Sequence, residues 1–167
     1  MPVLVHSTYY NVALSFVRDT IVACHLTRCL RLGLFGWVEV ADLLHVRSWE
    51  SSNVIQGKIL LAGGDPDGEG IADSRNTTEL VDVEQGTSQE SFPLEPGRFQ
   101  HCSIQVSDSA IIMTGGLDGY GIEDGTRVSQ FSFDDAGQVT FTELPRLTHG
   151  RAQHACGAYQ AGESQVS

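Results

Sequence analysis

Lys58-Ile-Leu-Leu-Ala-Gly-Gly64 returns as Ala110-Ile-Ile-Met-Thr-Gly-Gly116, at an offset of 52. A second stretch, Leu94-Glu-Pro-Gly-Arg-Phe-Gln-His101, returns as Leu147-Thr-His-Gly-Arg-Ala-Gln-His154, at an offset of 53. Between them, Val81 and Val83 alternate as in a strand, and Phe131 and Phe133 match them at an offset of 50. Three elements recurring in the same order indicate a structural repeat. Each unit reads as four short strands. Cys102, Ile104 and Val106 alternate with Ser103 and Gln105, which predicts a half-buried first strand. The continuous apolar run before Gly-Gly predicts a second strand buried on both faces. Val81–Val83 and Phe131–Phe133 mark the third strand. The fourth is expected near Ser88–Phe92 and Val139–Leu144, each followed by a proline. Gly63-Gly64 and Gly115-Gly116 end the second strand, where a tight exit calls for positive φ or a close backbone approach.

Four antiparallel strands in about 50 residues describe one blade of a β-propeller, and that period is the kelch one. The chain resembles the kelch repeat family through Ile59–Gly64 with Arg98 and His101, and Ile111–Gly116 with Arg151 and His154. The family's third-strand tyrosine and fourth-strand tryptophan are absent; Val81 or Phe131 stands near the first position and Phe141 near the second. The expected class is all-β, a partial kelch-type propeller of about two four-stranded blades plus a partial blade. Residues 1–56 form an unassigned N-terminal segment, 57–160 the blades (units near 57–108 and 109–160), and 161–167 a polar tail. Val38–Leu44 reads either as a short helix or as a peripheral strand. His45-Val-Arg47-Ser-Trp49 holds the residue types of a closing element in the wrong order and reads as degenerate. Ala155–Tyr159 looks like the first strand of a following blade.

The chain has 167 residues and a net charge of −11. Residues 1–56 carry four acids and four bases; residues 57–167 carry the other 17 acids and six bases, hence the whole net charge. Such a balance excludes nucleic acid as the expected partner, because phosphate binding needs a basic face. No apolar stretch is long enough for a membrane-spanning helix. No signal-peptide pattern stands out, since the first basic residue, Arg18, follows the apolar run Val12–Val17. The compartment stays open between cytoplasm and exterior.

His101 and His154, with His149 nearby, are of a metal-ligating type. Their recurrence at equivalent places points instead to a structural role, because a catalytic site is built once and not per repeat. Arg98 and Arg151, with planar guanidinium groups, are expected to bond between blades. Asp65, Asp67, Glu69 and Asp73 resemble the start of a calcium loop, but the twelfth position is Asn76 where a bidentate Glu belongs. The stretch reads as a solvated acidic loop, as does Asp118–Gly125. Asn76-Thr77-Thr78 is an N-glycosylation acceptor sequence, which matters only on a secretory route. Cys24, Cys29, Cys102 and Cys156 form no CxxC pair, so zinc has no support. Cys102 lies one residue beyond His101 and Cys156 two beyond His154, which places them on opposite faces of equivalent strands and disfavours a bridge; free buried thiols are expected.

No nucleophile elbow and no phosphate loop is present. The expected function is non-catalytic protein binding with no cofactor, by resemblance to kelch proteins that act as interaction scaffolds. The acidic loops Asp65–Asp73 and Asp118–Asp124 favour a basic partner surface. The alternative is part of a kelch-fold copper or carbohydrate oxidase, although Tyr120 and Tyr159 alone do not assemble such a site. A propeller needs at least four blades, so closure here is expected to need further blades from a longer chain or another subunit.

Overall fold

The computed structural model describes residues 12–65, 76–117 and 125–157. Eleven strands follow one another: β1 (Ala13–Val17), β2 (Thr20–Gly33), β3 (Gly36–Arg47), β4 (Ser51–Ile55), β5 (Lys58–Ala62), β6 (Thr78–Asp82), β7 (Thr87–Glu90), β8 (Cys102–Ser107), β9 (Ala110–Thr114), β10 (Val128–Phe133) and β11 (Val139–Leu144). They form three antiparallel sheets, ordered β1-β2-β3, β4-β5-β6-β7 and β8-β9-β10-β11. No α-helix occurs among the described residues, and no helix is long and apolar enough to cross a membrane.

Strand pairing in the second and third sheets is nearly the same. Ile59 pairs with Val81 and Ile111 with Phe131, at the spacing of the repeat. Each sheet runs as a simple meander, so every connection is a hairpin or a loop between sequence neighbours. The chain enters the second sheet at Ser51, and β4 pairs with β5 around the Gln56-Gly57 turn. A division at residue 56/57 therefore cuts a hairpin; the unit starts about six residues earlier than the charge shift suggests. Val38–Leu44 lies within β3 and is extended, not helical.

The sheets stack face to face, and the alternation along each strand divides the core in two. Val17, Val22, Cys24, Cys29, Ala41 and Leu43 of the first sheet meet Ile59, Leu61 and Val81 of the second. Ile55, Leu60 and Ala62, on the opposite face of the second sheet, meet Ile111, Met113, Phe131 and Phe133 of the third, with Leu94 between. Strand β5 thus has Ile59, Leu60, Leu61 and Ala62 all at 0% exposure, because it is covered on both sides, as its unbroken apolar run predicts. In β9 only alternate residues are that deeply buried; Ile112 and Thr114 are half-buried, since no sheet covers that face among the described residues.

All four cysteines are paired, which overturns the expectation of free thiols. Cys24–Cys29 and Cys102–Cys156 are disulfides. The face argument against the second bridge fails because residues 154–157 form no strand, so strict alternation does not govern Cys156. His154 Nε2 meets Thr114 Oγ1 at 2.9 Å, and Thr114 is the register partner of Cys102. That contact brings the C-terminal segment onto the face where Cys102 sits. In the first bridge a five-residue separation would put the thiols on opposite faces of a regular strand. The register shift between Leu26 and Arg28, with Leu26 at φ 52°, returns both to the inner face.

Candidate functional site: a row of Arg-x-x-Glu/His elements

The segments leading into β4, into β8 and beyond β11 share one conformation. Trp49, Gln100 and Gln153 have φ of 63°, 55° and 53°, the left-handed region that non-glycine residues seldom enter. Gln100 N donates to Trp49 O at 3.0 Å, and Gln153 N donates to Gln100 O at 2.8 Å. Three elements therefore stand side by side in one backbone-bonded row: Arg47–Glu50, Arg98–His101 and Arg151–His154. The first was hidden as a degenerate motif. Arg47 precedes Arg98 by 51 residues, and Glu50 occupies the place that histidine takes in the other two.

The glycine doublets dock onto this row. Ser48 and Asp65 exchange backbone bonds, as do Phe99 and Leu117, so each sheet's second strand ends against its own element. The following element closes the other side: Gly64 N donates to Arg98 O at 3.1 Å and Gly116 N to Arg151 O at 2.9 Å. A Cβ on Gly63 would clash with the Arg98 carbonyl, and one on Gly115 with the Arg151 carbonyl. A Cβ on Gly64 would lie 2.9 Å from Glu50 Cβ, and one on Gly116 2.7 Å from His101 Cβ. With all four glycines at positive φ, the doublet is both a conformational and a steric requirement.

The side chains finish the joint. Arg47, fully buried, donates from Nε to Glu79 Oε1 at 2.9 Å, from Nη1 to Gly63 O at 2.7 Å and from Nη2 to Thr77 Oγ1 at 2.7 Å. Glu79 also accepts from the Leu44 and His45 amides and from Ser88 Oγ, so this buried carboxylate is fully engaged. Arg98 reaches Ser129 Oγ at 3.3 Å, and Ser129 stands 50 residues after Glu79. Arg98 touches two sheets, with its guanidinium on the third and its backbone carbonyl on the second. Arg151 is exposed and links through its backbone.

Both histidines contact hydroxyl groups, His101 that of Ser51 and His154 that of Thr114. His101 Nε2 lies 2.8 Å from Ser51 Oγ; burial first, then the Arg98 and His154 charges, push its pKa down to about 3. Burial and the Arg151 charge lower that of His154. Glu50 departs from this pattern. Both carboxylate oxygens are buried, with no hydrogen-bond partner from any other residue. Burial raises its pKa to about 7, its own backbone bond and Arg47 oppose that rise, and Glu79 adds to it.

Among the other candidates, Asp65 is buried at the root of its loop and tied to Ser48 through its backbone. Asp67, Glu69, Asp73, Asp118–Asp124, Tyr120 and Tyr159 lie outside the described residues. Asn76 is exposed at the entry to β6. No group of three or more His, Cys, Asp or Glu side chains suited to a metal occurs among the described residues. A cavity of about 250 Å³ opens beside Arg98, Gly115, Gly116 and Arg127.

No protein-family model and no curated protein matches this chain. Solved structures do: one titled "Structure of YjhT" superposes with a TM-score of 0.67 at 11% sequence identity, covering 84% of this chain and 53% of that one. The likeness is one of fold, and this chain spans about half the length of that structure.

Proposed function

We infer that the three sheets are successive blades of a kelch-type β-propeller and that the chain serves as a non-catalytic protein-binding scaffold for a basic partner. The observation that carries this reading is the recurring joint, in which each Gly-Gly doublet is held between two Arg-x-x-Glu/His elements in one continuous row. It uses the arginines and histidines as structural parts, and their repetition from sheet to sheet is what a scaffold needs and a single active site does not. The segments that follow the two doublets start from equivalent points, Asp65 and Leu117, which lie 52 residues apart. Their sequences hold Asp65, Asp67, Glu69 and Asp73, then Asp118, Glu123 and Asp124. Acidic loops on a rigid sheet scaffold favour a positively charged surface and hasten its encounter.

Binding of a fluorescent decalysine peptide tests this. The peptide is expected to bind with strong salt dependence and to lose about tenfold or more in affinity in the D67N/E69Q/D73N/D118N/E123Q/D124N variant. A control variant neutralising six acids outside those two loops (Glu84, Glu90, Glu95, Asp134, Asp135 and Glu143) should keep most of it. Equal losses in both variants would reduce the effect to net charge and overturn the loop assignment. Stoichiometric bound copper with turnover of an alcohol or sugar would replace the scaffold reading by the oxidase one.

A further inference from the structure

The exposed apolar residues are not spread over the molecule. Of the eleven large ones among the described residues, nine belong to the first sheet; only Val106 and Phe141 lie elsewhere. In β1 the buried Ser15 and Val17 alternate with Leu14 and Phe16, which are 63% and 67% exposed. Ile21, the register partner of Phe16, continues the face in β2. Leu44 and Val46 project from β3 between the buried Leu43 and Arg47. At the β2–β3 hairpin, Leu34 and Phe35 are 96% and 100% exposed. The inner face of this sheet is already used against β5 and β6, so the outer face is a second apolar surface with no cover among the described residues. Monomers rarely leave a contiguous apolar area of more than a few hundred Å² in water.

Charge narrows what covers it. Residues 1–56, which include this sheet, are electrically neutral, whereas residues 57–167 carry the whole net charge of −11. Two copies approaching through any other surface meet like-charge repulsion. The opposite end of the stack is a mixed and less exposed surface: the outer face of the third sheet carries Ile104 and Ile112, both half-buried, beside Gln130 and Ser132, and the Cys102–Cys156 bridge fastens the C-terminal segment there. The surface that best matches the first sheet in polarity and charge is the same surface of another copy, a self-complementary arrangement that a twofold axis closes.

We propose that the outer face of the first sheet, carrying Leu14, Phe16, Ile21, Leu44 and Val46, is a homodimer interface that packs against its twin in a second copy. The joint is of the sheet-on-sheet kind that the chain already forms twice internally.

Light scattering coupled to size exclusion, on the disulfide-bonded full chain, tests this. The expected mass is twice 18.1 kDa. F16E and L44E should each weaken association by about tenfold or more with an unchanged circular dichroism spectrum, and the milder F16S and L44S serve if the charged variants misfold. V106E, on the third sheet, should leave the dimer intact. A monomer at every concentration reached overturns the proposal, as does open-ended mass growth. Association lost in V106E but kept in F16E overturns it in favour of a head-to-tail contact.

Discussion

Glu50 is the residue at which the repeat and its environment disagree. It fills a histidine's place, and no other residue donates to its buried carboxylate. The group ionises near pH 7 in the fold against an ordinary value of 4.5, so between these values the unfolded chain holds fewer protons. Its contribution to stability is then complete below about pH 4.5, falls as pH rises, and is gone above about pH 7. The gap corresponds to about 3 kcal/mol. Urea titrations from pH 5 to 8 should show this decline in the native chain and a flatter profile in E50Q. An equal slope in both would move the effect to other groups. Arg47 and Glu79 make the complementary case. R47A should destabilise the fold by about 3–5 kcal/mol, because it strands a buried carboxylate, while R47M/E79L should cost less. A double-mutant cycle by chemical denaturation measures the difference.

At the scale of elements, the glycine doublets carry the sharpest expectation. G63A and G115A place a methyl against a backbone carbonyl that belongs to the neighbouring element, so the joint must open. Each is expected to cost more than about 2 kcal/mol. Gly137 shares the positive φ but has nothing within 4 Å of a Cβ, and G137A should cost about 1 kcal/mol from strain alone. The three variants compared in one thermal melt separate steric from conformational demand. The unbroken run Ile59–Ala62 announced a strand covered on both faces, and the doublets announced a tight exit. Arg47 and Glu79 stayed hidden because they form a pair whose two members lie 32 residues apart, and in the next unit Ser129 stands in the place of the glutamate, so no recurring letter marks it. Glu50 escaped notice for the related reason that a repeat search looks for the same residue, whereas the backbone row requires only the same φ.

For the whole molecule, the two disulfides act on different lengths of chain. Cys102 and Cys156 are 54 residues apart and Cys24 and Cys29 five. By chain entropy, removing the first should cost up to about 4 kcal/mol and the second about 2. C102S/C156S should therefore unfold at clearly lower urea than C24S/C29S. Similar midpoints would mean that the C-terminal segment is held by His154 and Arg151 without the bridge. Disulfides persist in oxidising compartments, so both bonds are expected intact there.

Local patterning was enough to read an all-β chain, the strand β5 buried on both faces, and Gly63-Gly64 and Gly115-Gly116 as obligatory turns, because alternation and positive φ are properties of a few adjacent residues; β4 went unread in the unassigned N-terminal segment. The first sheet, the pairing of the cysteines and the row that unites Glu50, His101 and His154 depend on which distant segments come together. Strand β2 bends at a register shift, and the segment after His154 leaves the strand path. Once the second departure occurs, the alternation argument against a Cys102–Cys156 bridge no longer holds, and the first brings Cys24 and Cys29 to one face. Only the packed structure, where each doublet is gripped by the segment that follows it, decides that Arg47 opens a third element.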